Sequence, residues 1–384
     1  MISSQDELGA WLRLSLSKGV GNDAIRRLLA AFGLPAALFG QSETGLRQVV
    51  STRQARALQQ QPEGWQALLD DTWTWLQAPG MPGVQRAIVT WGDSDYPRAL
   101  LDIPDPPMIL YALGQTAGLE KLTASSCIAM VGSRNPTPQG TQNAQAFAQS
   151  LSAAGLTVVS GLALGIDGAA HEGALRGASP EALATIAVVG TGLDRVYPKH
   201  HLALAHRIAQ HGLILSEYPL GTPPLNANFP KRNRIIAGLS QATLVVEAAL
   251  KSGSLITAKQ AVEQGKEVLA IPGSIHSTQA KGCHALIKQG AKLVESAQDV
   301  LEELRPDPFK AATLAVTDAS GPDEETPEDQ GLLVHLGFDP VHLDALQARC
   351  GLDTASLQTQ LMILELNGQV ARLPGGLFQR LARG

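Results

Sequence analysis

Apolar positions in the first 80 residues recur at the three- and four-residue spacing of helices that bury one face. They form two runs, Trp11, Leu12, Leu14 and Leu16, and then Ile25, Leu28 and Leu29. We therefore predict that residues 1–80 form a small helical unit.

A glycine turn, KGVG, separates these two runs and leads into a helix that contains Arg26 and Arg27. Such a turn is similar to a SAM-like or helix-hairpin-helix element, in which backbone amides at a helix start hold a DNA phosphate. Glycine turns also connect packed helices without any ligand. Both interpretations stay open for this unit.

The pattern changes after WLQAPGMPG, a stretch typical of a linker. Amphipathic segments now alternate with short apolar runs, which are CIAMVGS, LTVVSG, TIAVVG, LILSEYP, ATLVVEAA, KEVLAIPG and AKLVES. This alternation predicts βαβ units and a parallel sheet, and uniformly apolar strands belong in a sheet covered on both faces. Residues 82–305 are predicted to form one Rossmann-like, doubly wound α/β domain.

Two further patterns follow the predicted sheet domain. Residues 306–329 are rich in Pro, Asp, Glu and Thr, which is the composition of a flexible acidic linker. Residues 330–384 contain three helical segments and then a short extended pair that turns at Pro374, Gly375 and Gly376. Helices followed by a hairpin in this order predict a winged-helix domain.

The third helical segment of this last unit, TASLQTQLMILELNG, contains no Lys or Arg and does contain Glu365. The third helix of a winged helix is normally the one that reads DNA. We therefore expect this unit to serve protein contacts or regulation rather than sequence-specific binding of duplex DNA.

Composition and charge restrict the class of protein. A chain of 384 residues with 38 glycines and 44% hydrophobic residues suits a multidomain α/β protein. The net charge of −5 argues against a protein that coats nucleic acid over its whole surface, so a DNA site must be locally basic. The chain has neither a membrane-length apolar run nor a basic leader, so we expect a cytoplasmic protein with no membrane contact.

The cysteines Cys127, Cys283 and Cys350 lie far apart in the chain and outside the spacings of metal-binding motifs. They predict reduced thiols, with no disulfide framework and no zinc site.

The ligand site of an open parallel sheet lies beyond the carboxyl ends of its strands. In this chain those ends carry the segments VGSRNPT, SGLALGID, VGTGLD, EAALKSGSLIT and IPGS. Glycines let the backbone approach a ligand closely, and serine hydroxyls donate hydrogen bonds. An edge of this composition suits phosphate groups.

Two nucleotide-binding signatures are absent from the sequence. The dinucleotide motif GxGxxG does not follow the first predicted strand, where Arg134 stands two residues after Gly132. A Walker A motif is also missing. The sequence therefore disfavours nicotinamide, flavin and P-loop ATP chemistry, and no cofactor is predicted.

The segment FPKRNRIIAGLS, residues 229–240, is the candidate centre of the site. It places Lys231, Arg232 and Arg234 beside Phe229 and Asn233. Cations neutralise phosphates, and a nucleobase stacks on an aromatic ring. A basic loop with one ring at the ligand edge suits single-stranded DNA. The alternative is a solvated helix start whose arginines pair with nearby carboxylates.

Three residues resemble acid and base groups, because Asp167, His171 and Glu172 lie close together on a predicted helix. No nucleophile accompanies them, and neither a GxSxG elbow nor a complete HExxH motif is present. We expect these side chains to cap or brace the helix, and no catalytic residue is predicted.

Taken in order, MVGSRNPT, VVSGLALGIDGAAHEGAL, VVGTGLDRVYPKHH, SEYPLGTPP, FPKRNRIIAGLS, EAALKSGSLITAKQA, IPGS and GCHALIKQGA resemble the motifs of the DprA/Smf family of DNA-processing proteins. The resemblance covers about residues 82–305. It implies a dimeric, cytoplasmic protein without enzymatic activity that binds single-stranded DNA. It further implies that the protein protects incoming DNA during natural transformation and loads the RecA recombinase onto it.

Carried onto this chain, the family's DNA pocket comprises Gly132, Ser133, Arg134, Ser160, Gly161, Phe229, Lys231, Arg232, Asn233, Arg234, Gly253 and Ser254. The resemblance also implies a dimer edge and RecA-facing region around Ile275 to Leu293. One departure is His284, which stands in GCHALI where the family usually has Asn.

Two other functions remain open. A related Rossmann-like group of nucleotide hydrolases, of the phosphoribohydrolase type, uses a PGGxGTxxE motif. The comparable loop here, KSGSLITAK, has no acidic residue where that motif requires its Glu. The other possibility is a recombinase adaptor for which DNA binding is secondary.

Overall fold

The structure is a computed structural model that describes residues 2–304, 331–338 and 340–381. The flexible acidic linker predicted at residues 306–329 lies outside the described residues. No helix in these ranges is long and apolar enough to cross a membrane.

The N-terminal unit is helical, as its hydrophobic pattern predicts. Its helices are α1 (Gln5–Leu16), α2 (Asn22–Phe32), α3 (Pro35–Phe39), α4 (Glu43–Leu46), α5 (Thr52–Gln59) and α6 (Trp65–Gln77). Ser4 caps α1, because its hydroxyl accepts the N–H of Glu7. The apolar faces meet in a core that includes the fully buried Leu8, Leu12 and Leu28.

The start of α2, just after the glycine turn, contacts the neighbouring sheet domain. The Asn22 amide donates to the Asp105 carboxylate and to the Pro106 carbonyl. Arg26 donates to the Leu101 carbonyl oxygen at 3.2 Å. These side-chain contacts hold the start of α2 against the sheet domain.

The sheet at the centre of the described structure has nine strands. They are β1 (Gln85–Thr90), β2 (Ile109–Gly114), β3 (Cys127–Val131), β4 (Thr157–Ser160), β5 (Thr185–Val188), β6 (Leu213–Ser216), β7 (Ala242–Val245), β8 (Glu267–Ala270) and β9 (Lys292–Leu293). Their order across the sheet is β1-β2-β6-β5-β4-β3-β7-β8-β9. In this order, every pair of neighbouring strands from β6 to β9 is parallel. This confirms the predicted doubly wound, Rossmann-like domain.

Helices cover both faces of this sheet. They are α7 (Pro138–Ala153), α8 (Ile166–Gly177), α9 (Leu202–His211), α10 (Asn228–Leu239), α11 (Ser254–Glu263), α12 (Lys281–Lys288) and α13 (Ala297–Leu304). Successive residues of β3 point to opposite faces, so that Ile128 packs with Leu151 of α7 while Ala129 packs with Ile235 of α10. Burial on both faces explains why the strands are apolar throughout.

The sequence pattern missed β1 and β2, and the sheet is therefore mixed at one edge. These two strands pair antiparallel with each other, and β2 pairs antiparallel with β6. A long, proline-rich connection joins them instead of a helix. The alternation of strands and helices that identifies βαβ units therefore gave no signal there.

The described part of the C-terminal unit contains the predicted helices and hairpin. Its elements are α14 (Leu332–Leu336), β10 (Val341–His342), α15 (Leu343–Cys350), α16 (Thr354–Leu366), β11 (Val370–Leu373) and β12 (Leu377–Arg380), with strand order β10-β12-β11. Asp353 caps α16 by accepting the N–H of Ser356 at 3.0 Å. Leu346, Leu357 and Leu361 belong to its separate small core.

Candidate nucleic-acid interface

The topology of the sheet creates a crevice between β3 and β7. The chain continues from β3 through β4, β5 and β6 on one side, and from β7 through β8 and β9 on the other. Open α/β sheets bind ligands at such a switch point, beyond the carboxyl ends of the two strands. A cleft of about 490 Å³ opens there.

We call this the switch-point cleft, and its lining combines the loops after β3 and β7 with the start of α10. The residues that line it include Gly132, Ser133, Arg134, Asn135, Asp167, Asn226, Phe229, Arg232, Asn233, Lys251, Ser252, Gly253, Ser254 and Gln279.

Glu247, just after β7, holds the loop that follows β3. Its backbone carbonyl accepts the Ser133 N–H at 2.7 Å. Its carboxylate accepts the N–H and the hydroxyl of Thr137 at 2.8 and 2.7 Å, and Thr137 in turn caps α7. Burial raises the pKa of Glu247, and the two bonds from Thr137 oppose that rise. This carboxylate therefore fixes the loop, and it lies outside the lining of the cleft.

Arg134 and Lys251 supply the exposed positive charge of the switch-point cleft. Arg134 follows β3 and Lys251 follows β7, and both side chains are exposed. Within the described part of the chain, neither forms an ion pair. The helices α10 and α11 also begin at the cleft and direct the positive ends of their dipoles toward it. This arrangement attracts phosphate groups.

FPKRNRIIAGLS forms most of α10 and is not the basic loop that we expected. Pro230 lies in the first turn of the helix, where a missing N–H breaks no helical hydrogen bond. Ile235, Ile236 and Leu239 are buried against the sheet and hold the helix in place. Because residues of a helix point in successive directions, the three cations of the segment do not face one surface.

Arg232 is buried at the inner wall of the switch-point cleft. It donates to the carbonyl oxygen of Val188 and lies 4.0 Å from the carboxylate of Asp167. Burial lowers the pKa of Arg232 to about 10, against the opposing effect of Asp167. A Cβ atom on Gly161 would overlap the Arg232 guanidinium, so glycine is needed there to make room for the arginine.

Arg234 and Lys231 lie outside the lining of the cleft and face Glu217. Nη1 and Nη2 of Arg234 donate to the Glu217 carboxylate, at 2.7 and 2.6 Å. Arg234 also donates to the Asp105 carbonyl oxygen at 2.7 Å. The Lys231 ammonium is half exposed and lies 3.7 Å from Glu217. Arg232 and Arg234 thus pair with carboxylates, as the alternative interpretation of this segment proposed, but both are buried and not solvated.

Phe229 is the aromatic residue in the lining of the cleft. Its partly buried ring packs against Gly190, and the Asn228 amide fixes the helix start by donating to the Gly190 carbonyl at 3.0 Å. The guanidinium of Arg134 lies 5.7 Å from the centre of the Phe229 ring. The ring of Tyr197 lies 5.6 Å from the same centre.

Asp167 is held by internal contacts. Its carboxylate accepts the N–H groups of Gly161 and Ala163 at 3.1 and 3.3 Å and pairs with Arg232. Burial raises the pKa of Asp167, and the charge of Arg232 is the largest opposing effect. The carboxylate therefore braces the turn between β4 and α8.

His171 and Glu172 are also engaged within the protein. The fully buried His171 ring lies 2.7 Å, through Nδ1, from the Thr185 hydroxyl, and its Nε2 accepts the Leu162 N–H at 3.3 Å. Burial lowers the pKa of His171 to about 3, so the ring is neutral at pH 7. Glu172 pairs with Arg207 at 2.8 Å. These contacts match the bracing role expected for the two residues.

The switch-point cleft brings together most of the predicted site residues, namely Gly132, Ser133, Arg134, Phe229, Arg232, Asn233, Gly253 and Ser254. Ser160, Gly161, Lys231 and Arg234 lie outside its lining. The Ser160 hydroxyl is fully buried and donates to the Met130 carbonyl at 2.6 Å.

Sequence reasoning did not single out Lys251 as a site residue. Its signal was its place in KSGS, directly beside a serine-glycine turn at the carboxyl end of a predicted strand. Gln279 carried no local signal, because it reaches the cleft by donating to the Asn135 carbonyl from far along the chain.

His284, where the family usually has Asn, lies on α12 and outside the cleft lining. Its Nε2 is 2.9 Å from the carbonyl oxygen of Gly273, in the loop after β8. All three cysteines are free thiols. In the described ranges, no group of His, Cys, Asp and Glu is arranged to hold a metal ion.

The fold and the cleft define a Rossmann-like protein with a locally basic crevice at the switch point of its sheet, followed by a winged helix. The family model for DNA recombination-mediator protein A matches residues 87–305, and the model for the DprA winged helix domain matches residues 316–376. The chain belongs to this DprA family, which confirms the resemblance seen in its motifs.

Relatives support this assignment along most of the chain. The protein Smf of Escherichia coli K12 is 37% identical over 385 residues, covering 97% of this chain and 96% of that protein. The X-ray structure of DNA processing protein A from Streptococcus pneumoniae has a TM-score of 0.64 and 36% identity, covering 79% of this chain and 99% of that one. A Helicobacter pylori DNA processing protein A structure, described for its single-stranded DNA binding mode, has a TM-score of 0.51 and 32% identity, covering 57% of this chain and 95% of that one.

Proposed function

We propose that this protein binds single-stranded DNA in the switch-point cleft, with phosphates at Arg134 and Lys251 and a base near Phe229. The observation that carries the proposal is the pair of exposed cations, brought from two loops to one edge and free of ion pairs within the described residues. The aromatic ring of Phe229 lies beside Arg134. Cations plus a ring suit a ligand that offers both phosphates and unstacked bases.

Single-stranded DNA is favoured over duplex DNA for two reasons. The bases of a duplex are stacked on each other, so a ring in the cleft can stack on them only in a single strand. In the C-terminal unit, α16 carries no cation that could contact a duplex groove. The Helicobacter pylori relative described for binding single-stranded DNA supports the same ligand.

The proposal is tested by replacing the two exposed cations. Arg134→Ala and Lys251→Ala should each weaken binding to a labelled oligonucleotide and lower the slope of log affinity against log salt by about 0.7 for each lost phosphate contact. Fluorescence anisotropy at several salt concentrations measures both quantities.

Lys259→Ala is the matched control for these variants. Lys259 lies on α11 outside the cleft lining, where it is exposed and pairs with Glu263. Its replacement should leave the slope unchanged. If the Arg134 and Lys251 variants also keep the wild-type slope, the switch-point cleft is not the DNA site.

We further propose that the cleft binds its ligand without turnover, as opposed to the nucleotide-hydrolase alternative. The carboxylate in the cleft lining, Asp167, is paired with Arg232, and the neighbouring Glu247 is held by Thr137. Incubation with nucleoside monophosphates should release no free base by chromatography. Release that depends on Asp167 would favour the hydrolase.

The family description as a recombination mediator supports a further step. We propose that, in the cytoplasm, the protein protects incoming single strands during transformation and passes them to RecA. It should slow nuclease digestion of an oligonucleotide and speed RecA filament assembly. If the Arg134→Ala, Lys251→Ala double variant still speeds assembly after losing strand affinity, the protein is an adaptor for which DNA binding is secondary.

We also propose a homodimer through the region of Ile275 to Leu293. Ile275 and Leu293 are large apolar residues with 68% and 50% of their surfaces exposed, and β9 forms an edge of the sheet. Burial of exposed apolar side chains is the expected basis of such an interface. Ile275→Asp should shift the protein toward monomer in sedimentation, whereas an unchanged mass would place the interface elsewhere.

A further inference from the structure

Tyr197 lies beyond the lining of the switch-point cleft and has no assigned role. It stands between β5 and the short 3-10 turn Lys199–His201, and 47% of its surface is exposed. Its ring centre lies 5.6 Å from that of Phe229, with 33° between the two planes. Tyr197 therefore continues the aromatic surface of the cleft toward the carboxyl end of β5.

The surface of Phe229 is already largely occupied. Its ring packs on Gly190 so closely that a Cβ atom there would lie 3.2 Å from a ring carbon, and the Arg134 guanidinium lies over the ring. The Tyr197 ring covers a further part of it. Of the two rings, Tyr197 presents the more open face to a ligand.

The loop that carries Tyr197 is anchored on both sides. Before it, the Asp194 carboxylate accepts the Gly221 N–H at 2.8 Å. After it, Nδ1 of His201 lies 3.0 Å from the Leu162 carbonyl oxygen. A ring held in position in advance loses little conformational entropy when a ligand stacks on it.

We propose that Tyr197 is a base-stacking residue that extends the DNA track from the switch-point cleft to the end of β5. This inference rests on the proposed binding of single-stranded DNA and names a contact in it. A base next to the one at Phe229 stacks on the Tyr197 ring, without preference for sequence because every base has an aromatic face. Lys199, two residues further on and exposed, adds positive charge along the same path.

The test compares an oligothymidine with an abasic strand of the same length. Tyr197→Ala should weaken binding of oligothymidine roughly fivefold or more, the range of one stacked base. The same variant should bind the abasic strand as the wild type does, because that strand has phosphates and no bases. The salt slope should stay unchanged for both ligands, since no phosphate contact is lost.

Two further variants separate stacking from packing. Tyr197→Phe keeps an aromatic ring and should keep wild-type affinity for oligothymidine. Tyr197→Leu keeps an apolar side chain against Phe229 and should lose affinity as Tyr197→Ala does. Thermal unfolding of each variant reports whether the fold is intact.

Phe338→Ala is the matched control, because Phe338 is an exposed ring with a neighbouring cation, Arg380, in the winged-helix unit. It should leave both affinities unchanged. Tyr197→Ala with unchanged oligothymidine affinity, or with equal losses for both strands, overturns the inference. Failure of the wild type to bind either strand would instead contradict the proposed function.

Discussion

The helices α10 and α16 differ in how many cations they contain and in which side chains they expose. α10 contains Lys231, Arg232 and Arg234, and the two arginines are buried with carboxylate partners. α16 contains no cation and exposes Met362, Ile363 and Leu366. The first helix looks like a DNA-binding element in sequence, yet most of its charge is neutralised inside the protein.

The comparison teaches that a basic segment is not the same as a basic surface. In the sheet domain, the exposed cations of the switch-point cleft come from loops that each contain one of them, Arg134 and Lys251. The buried arginines of α10 instead position the helix so that Phe229 and Asn233 reach the cleft. Buried and exposed positions are thus divided between different cations.

The largest expected effect is the loss of Arg234. Arg234→Ala leaves the buried Glu217 carboxylate without its bidentate partner, so the free energy of unfolding should fall by about 3–5 kcal/mol. Arg207→Ala is the control, because its pair with Glu172 is partly exposed and is worth about 1 kcal/mol or less. Urea unfolding measures both. Unchanged stability with lost DNA affinity would make Arg234 a ligand contact.

A second prediction concerns the stability of the protein at low pH. The sheet domain buries the ionisable side chain of His171, and no such histidine is buried among the described winged-helix residues. Burial lowers the His171 pKa to about 3, below the value of about 6.5 for an unfolded chain. The unfolded state therefore binds more protons between these values, and stability falls as the pH drops below about 6.5, by about 1.4 kcal/mol per pH unit from this residue.

His171→Gln is the variant that isolates this effect, because the amide does not titrate. Urea unfolding at pH 7.5, 5.5 and 4.5 should show the stability gap between wild type and variant narrowing as the pH falls. Other titrating groups are common to both proteins and cancel in the difference. A gap that stays constant would mean that His171 is not buried as a neutral ring.

The smallest expected effect is the removal of residues 330–384. Because α16 offers no cation to a phosphate, the dissociation constant for an oligonucleotide should change by no more than about twofold. Anisotropy titration of the shortened protein measures it. A loss of affinity as large as that of the Arg134→Ala variant would mean that the winged helix contributes to DNA binding, although α16 contains no cation.

The sequence predicted the sheet domain because its strands are short apolar runs between helices. It placed the candidate site because ligand sites follow the carboxyl ends of such strands. It did not predict which cations of FPKRNRIIAGLS face outward. That depends on Glu217 and Asp167, which reach the helix through the packing of other strands and loops. Lys251 was missed for the same reason, since only the fold brings it near Arg134.

Asp105 joins two parts of the protein that are far apart in the chain. Its carboxylate accepts the Asn22 amide at the start of α2, and its carbonyl accepts Arg234 of α10. Asp105 thus links the start of α2 to the helix that carries Phe229 through one shared residue. A fragment without the helical unit would lose the hydrogen bond from Asn22 to Asp105. DNA affinity should therefore be measured on protein that keeps the helical unit.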